Sequence, residues 1–248
     1  MKHWRAMAWW ATCSRQRIVG AIMLAIVLAT ATALLPVRRH GPERTSPSAM
    51  TAPVWIYGNT RARYTLIEYA DLECPYCKAY FPVLKAWIDA HPDVNWQWHH
   101  RPLAIHEPAA TREAQLAECA GRTSGNEGFW RAVTWIYANT RGGGEGLPAT
   151  AVFPQHSPKL TVCLESFEAT KVVQAQSAAA SHAGIDATPT MKLIDHSSGK
   201  TIVLEGAIDG DALLSAIDWL ADASRASDRA LSTTVTPRQS AIRSSENR

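Results

Sequence analysis

The sequence predicts an α/β domain: a mixed central sheet flanked by helices, carrying an inserted helical subdomain. Three observations lead there. β-rich segments at 64–69, 94–98, 191–194 and 201–204 alternate with helical patterns. The first strand–helix–strand unit has a crossover long enough for parallel strands, whereas the last two strands meet at a tight turn and read as an antiparallel hairpin. Between these blocks, from about residue 104 to 184, the pattern is mainly helical.

The elements follow in order. Residues 54–57 (VWIY) form a short opening strand, and Gly58-Asn59 begins the turn to the strand at 64–69 (YTLIEY). After Cys74-Pro75-Tyr76-Cys77, the residues Cys77, Phe81, Leu84 and Ile88 recur at helical spacing. Pro75 suits the first turn, where its missing N–H is harmless. Pro82 lies inside the pattern and predicts a kink. Residues 94–98 (VNWQW) alternate as the next strand. Helices are expected at 110–119, 129–139 and 167–182, with a Gly-rich loop at 141–146. Ser198-Gly199 turns the hairpin, and a helix over 209–221 places Leu213, Leu214, Ile217 and Leu220 on one face. Trp87, Trp96, Trp130, Trp135 and Trp219 read as core. His99, His100 and His106 read as a solvated loop after the second core strand.

The chain of 248 residues carries a formal charge of +3, but unevenly. Residues 1–44 hold seven Lys/Arg and one Glu, or +6, and residues 224–248 hold five Arg and two acids, or +3. Residues 45–223 hold thirteen Lys/Arg and nineteen acids, or −6. An acidic domain argues against a nucleic-acid partner, whose affinity rests on clustered Lys/Arg. Residues 18–37 are apolar and free of charge, with Arg15 and Arg17 before them and Arg38 and Arg39 after. Such a run is long enough to span a hydrocarbon core of ~30 Å. It reads as an uncleaved anchor, or as a signal peptide cut after small residues near Ala31 or Ala33. Either way the remainder is exported. The division expected is therefore 1–39 for this segment, 40–53 for a Pro/Ser/Thr-rich linker, 54–223 for the domain and 224–248 for a disordered tail.

The chemistry centres on Cys74 and Cys77. A strand precedes them and a helix follows, so Cys74 meets the free amides and dipole of a helix N-terminus, which favour a thiolate. Cys77 lies one turn further in, facing the sheet. One accessible thiolate and one buried thiol are what thiol–disulfide exchange requires. Half of a zinc site is the rival reading, but no second C-x-x-C exists, and His99 and His100 are adjacent rather than a turn apart. No metal and no soluble cofactor are expected.

The stretch 66–77 (LIEYADLECPYC) resembles the active-site strand and helix of the DsbA-like branch of the thioredoxin superfamily. Residues 184–190 (GIDATPT) resemble the family's loop carrying a cis-proline. The two together cover the domain from about 54 to 222. The resemblance implies a thioredoxin fold with a helical insert and a protein disulfide oxidoreductase with Cys74 and Cys77 catalytic. Pro75 and Tyr76 between them would set the redox poise. Pro189 would be cis, against an ordinary trans proline opening a strand, with Thr188 facing the cysteines and presenting its backbone to a substrate peptide. Glu68 would be a buried acid near Cys77, although strand alternation alone does not say which face is buried. Glu73 adjoins Cys74 and is expected to point to solvent.

Cys119 and Cys163 are left over in the insert. Export makes them candidates for a structural disulfide, which some DsbA-like proteins carry there, with two free buried thiols as the alternative. Cys13 precedes the apolar run and stays apart from catalysis. The function implied is a tethered dithiol oxidase acting on cysteine-containing exported proteins and reset by a membrane redox partner. A reductase or isomerase is the alternative, and a redox-inactive chaperone or binding module is a third. Only about 14 residues of linker separate the apolar run from the domain, which leaves no room for an isomerase-type dimerisation module.

Overall fold

The computed structural model describes residues 53–234, with side chains through Ala223. The apolar run 18–37, Cys13, the linker up to residue 52 and the tail beyond Thr234 lie outside the described residues. Among the described residues no helix is long and apolar enough to cross a membrane.

The chain runs β1 (Ile56–Tyr57), β2 (Tyr64–Ala70), α1 (Pro75–Ala90), β3 (Val94–His100) and a 3₁₀ turn (Ala104–His106). Then come α2 (Ala109–Asn139), α3 (Pro158–Glu165), α4 (Glu168–His182), β4 (Thr190–Asp195), β5 (Thr201–Glu205) and α5 (Gly210–Thr234). The five strands form one sheet in the order β1-β3-β2-β4-β5. β2 and β3 are parallel, with Leu66 opposite Trp96 and Glu68 opposite Trp98, and the other three pairings are antiparallel. This is a thioredoxin fold with a helical insert between β3 and β4.

Alternation along the strands sorts the sheet into two faces. Leu66 and Ala70 of β2, Trp96 and Trp98 of β3, and Met191 and Leu193 of β4 share one core. Phe81, Leu84 and Ile88 of α1, Phe129, Trp130 and Ile136 of α2, and Leu213, Ile217 and Leu220 of α5 complete it. On the opposite face Tyr69 packs with Ala180 and Ile185, and Ile67 borders them. Glu68 shares the first face, so its carboxyl is sealed beneath α1 rather than exposed at an edge.

Several elements depart from expectation. α1 runs through Pro82 as one helix, its apolar stripe from Cys77 to Ile88 holding both halves on one core. The two helices expected at 110–119 and 129–139 meet in one element, interrupted only where Gly125 turns to φ 72°. α3 was not expected, although Ser157-Pro158 is a start signal: the Ser157 hydroxyl accepts from the Leu160 amide at 3.2 Å. α5 runs to Thr234, past the expected domain edge at 223, since no Gly or Pro interrupts residues 211–234. Leu214 lies off the buried face of α5, and Trp219 is 56% exposed rather than core.

Tertiary packing also explains a glycine within α2. A Cβ on Gly121 would sit 2.5 Å from the Trp55 indole. That ring cannot swing away freely: it stacks on Phe129 at 5.0 Å and donates to Glu118 Oε1 at 2.8 Å. Helix propensity favours alanine over glycine by ~1 kcal/mol, but overpacking of this kind costs ~1–3 kcal/mol. Gly121→Ala is therefore expected to destabilise the domain, which urea denaturation followed by tryptophan fluorescence will show as a lowered midpoint.

Candidate active site

β2 ends at Ala70, and the turn Asp71-Leu72-Glu73 delivers Cys74 to the N-cap of α1. Asp71 shapes that turn. Its Oδ1 accepts from the Glu73 amide at 2.8 Å, while Oδ2 accepts from the Leu103 amide at 2.9 Å and lies 2.7 Å from His106 Nδ1. The Asp71 carbonyl receives the Cys74 amide at 3.1 Å and the Tyr137 hydroxyl at 3.3 Å. Pro75 occupies the first turn, and Tyr76 projects outward, 72% exposed.

Both cysteines are free thiols, and both are more covered than the sequence implies: Cys74 is 3% exposed and Cys77 0%. Their proton affinities nevertheless diverge. The Cys77 thiol stabilises a Cys74 thiolate most, and burial opposes this. The Thr188 hydroxyl and the Cys77 and Tyr76 amides at the helix N-terminus add to it, so Cys74 is pulled from 9.0 down to about 6. Cys77 moves the other way, pushed up by burial, by Cys74 and by the nearby Glu68 carboxyl. At neutral pH the pair holds one thiolate and one thiol, with the negative charge on the outer sulfur.

The loop before β4 closes the site from the other side. The Thr188–Pro189 peptide bond is cis, and Cys74 Sγ lies 3.4 Å from the Thr188 carbonyl oxygen. Thr188 Oγ1 is buried with no other ordinary hydrogen-bond partner. Glu68 sits behind the cysteines, its oxygens without a hydrogen-bond partner of ordinary geometry. Burial pushes its carboxyl up to about 8, partly offset by the Trp96 indole and reinforced by the charge at Cys74. It is therefore a neutral acid at pH 7, able to give or take a proton near Cys77.

Three side chains differ from expectation. Glu73 does not face solvent; it is fully buried and accepts from the Gly144 and Gly146 amides at 2.9 and 2.8 Å and from the Thr140 hydroxyl. His100 and His106 are buried rather than solvated. His100 lies on β3, accepts from Trp98 Nε1 at 3.0 Å and has Nε2 3.3 Å from Glu118 Oε1, while His106 serves Asp71. His99 packs against Tyr69 with the rings tilted 50° and reaches the Gln176 carbonyl at 2.9 Å. Cys119 and Cys163 form a disulfide between α2 and α3, with Cα atoms 5.6 Å apart.

Asp71, Tyr137, Thr140 and Glu113 were not singled out from sequence. Asp71 had a signal, since Asp at a strand end commonly caps the turn that follows. Glu113 had one too: it falls on the apolar stripe of Ala110, Ala114 and Ala117. Among the described residues, no group of three or more His, Cys, Asp or Glu is placed to hold a metal.

A sequence model described as Thioredoxin matches residues 50–218. DsbA2 of Pseudomonas aeruginosa is 45% identical, with a TM-score of 0.65 over 68% of this chain and 94% of that one. Alpha-DsbA1 of Wolbachia pipientis, 20% identical, shares the fold with a TM-score of 0.54 over 70% of this chain and 94% of that one. BdbD of Bacillus subtilis, also 20% identical, does so at 0.53 over 66% and 90%. A Na⁺/H⁺ antiporter, NhaA 3 of Salinispora tropica, is 35% identical over 84 residues, or 34% of this chain. The chain spans only 12% of the length of the curated antiporters it matches.

Proposed function

Since this chain belongs to the DsbA-like branch of the thioredoxin superfamily and is a protein disulfide oxidoreductase, we propose that it works as a dithiol oxidase through Cys74 and Cys77. One arrangement supports this reading: Cys74 sits at the N-cap of α1 against the cis Thr188–Pro189 loop while Cys77 is sealed one turn further in, so the thiolate is favoured at the outer sulfur. In the oxidised enzyme a substrate thiolate attacks Cys74 Sγ. The Cys74–Cys77 bond breaks, and the Cys77 sulfur leaves with the electron pair and takes a proton, for which the neutral Glu68 carboxyl is the nearby source. A second substrate thiolate then attacks the substrate sulfur of the mixed disulfide, and Cys74 departs as a thiolate. The substrate loses two electrons and the enzyme gains them as a dithiol.

A good leaving group makes the second step easy and stabilises the reduced enzyme. With Cys74 at about 6 the thiolate predominates at pH 7, which favours the dithiol by ~1.4 kcal/mol, or ~30 mV, over an unperturbed thiol. The sign is that of an oxidant. Thr188 and the cis Pro189 supply the wall against which a substrate strand pairs, and Pro75 and Tyr76 form the outward surface it meets. The apolar run at 18–37 supports export with a membrane tether. Substrates are then cysteine pairs of exported proteins, and a membrane redox partner takes the two electrons back from the dithiol.

Equilibration with glutathione buffers tests the assignment. A potential near ~−120 mV supports the oxidase, and one near ~−270 mV makes the protein a reductase instead.

A further inference from the structure

Glu73 stands immediately before Cys74, and the hydroxyl and backbone amide donors to its carboxylate all come from one loop. Thr140 Oγ1 donates to Oε1, and the Gly144 and Gly146 amides donate to Oε2 at 2.9 and 2.8 Å. The Gly143 amide adds a 2.7 Å bond to the Glu73 carbonyl. The loop turns through positive φ at Gly142, Gly143, Gly144 and Gly146, a backbone with little stiffness of its own. A further tie to the active-site side is Lys78 Nζ on the Thr140 carbonyl at 2.6 Å. Glu73 is thus the hub that holds residues 140–146 beside the nucleophile.

Glu113 approaches the same carboxylate from α2. It is 2% exposed, its carboxyl contacts Glu73 and Thr140, and neither of its oxygens has a donor of ordinary geometry. Two buried carboxyls in contact do not both ionise. Three donors converge on Glu73, so Glu73 is the anion and Glu113 carries the proton.

We propose that Glu73 is a positioning residue and Glu113 its proton-bearing partner: together they clamp the 140–146 loop beside Cys74, and the clamp opens when Glu113 loses its proton. The proposal rests on the reading of Cys74 as the nucleophile. Burial and Glu73 push Glu113 up to about 9, and Asp71 acts in the same direction. Burial raises Glu73, but Thr140, Gly146, Glu113 and Gly144 outweigh it and hold Glu73 low. The other ionisable groups around the pair are His106 on Asp71, Lys78 of α1, Arg112 beside Glu113 and Glu145 of the loop, and none donates to Glu113. Ionisation of Glu113 sets a second negative charge against Glu73 in the same enclosed volume, and the loop is the softest neighbour.

The test follows the Gly144 and Gly146 amide signals of the reduced protein in ¹H–¹⁵N spectra from pH 7 to 10, with KM for insulin reduction measured over the same range. In Glu113→Gln an amide N–H replaces the shared proton and does not ionise. The two wild-type signals are expected to shift together near pH 9 and to stay fixed in Glu113→Gln. The ratio of wild-type to Glu113→Gln KM should rise about tenfold across that range, the scale of one charge-assisted hydrogen bond. Glu73→Gln should displace both signals already at pH 7. Signals that titrate alike in wild type and Glu113→Gln, or a flat KM ratio, overturn the clamp. If Glu73→Gln does not fold, the wild type against Glu113→Gln comparison decides alone. Exchange retained in Cys74→Ser would remove the reading beneath the proposal while leaving the amide titration to judge the clamp itself.

Discussion

Cys74→Ser is expected to reduce disulfide exchange to the uncatalysed rate, whereas Cys77→Ser keeps the attack and loses the release. The asymmetry follows from position. Cys74 is at the helix N-cap, where its sulfur meets the Tyr76 and Cys77 amides, and a serine hydroxyl there stays protonated and unreactive toward disulfides. Cys77 faces the core, where attack on an incoming substrate is blocked and its expected part in reduction is to displace the substrate bound to Cys74. Without it, a substrate disulfide attacked by Cys74 remains as a mixed disulfide, visible as a heavier species on a non-reducing gel. The rate of alkylation of reduced wild type by iodoacetamide should reach half its maximum near pH 6, in line with the Cys74 value of about 6. Folding lowers this pKa, so the associated stability of the reduced form is complete above pH ~9 and is lost as the pH falls through about 6. Exchange that survives in Cys74→Ser, or an alkylation midpoint near 9, would sink the assignment.

The placement of Cys74 at a helix N-terminus was legible because two local signals coincide there. The switch from a β pattern to a helical one falls at Cys74, and the helix face that begins at Cys77 repeats through Ile88. Glu68 was half legible. Alternation offers two faces, and only the packing of α1 and α5 on one of them buries the acid. Glu73 was misread because its environment comes from far along the chain: its donors lie 67 to 73 residues away, on a loop whose glycines announce a turn but not a partner. His106 failed for a similar reason, since its partner Asp71 is 35 residues back. The parallel β2–β3 pair and the antiparallel β4–β5 hairpin were readable from a long crossover and a tight turn, which are local constraints; the full order, with β2 between β3 and β4, was not. The extent of α2 through Gly121 and of α5 beyond residue 223 was not, because glycine and serine weaken the local signal while tertiary packing or the absence of a breaker sustains the helix.

Replacing Cys119 and Cys163 together by alanine is expected to lower stability by ~3–4 kcal/mol, with the active-site pair kept reduced in both proteins. The bond closes a loop with a sequence separation of 44, and removing it returns that loop's freedom to the unfolded chain. For a domain of this size the loss corresponds to roughly 6–16 °C in Tm. The loss should also be uneven. α3 has eight residues, too few to persist alone, and within it only Leu160 is buried. Val162 and Leu164 on the same helix are exposed, so α3 has little apolar attachment besides Leu160 and the covalent bond to α2. Cys119 is fully buried on α2, beside Glu118 and its Trp55 and His100 partners, so that end of the bond sits in the rigid part of the molecule. Hydrogen exchange should therefore accelerate first across residues 158–165 in the double variant, under conditions where β2 and β3 keep their protection. Equal midpoints for the two proteins, or exchange that rises uniformly over the domain, would show that packing rather than the disulfide fastens α3 to the insert.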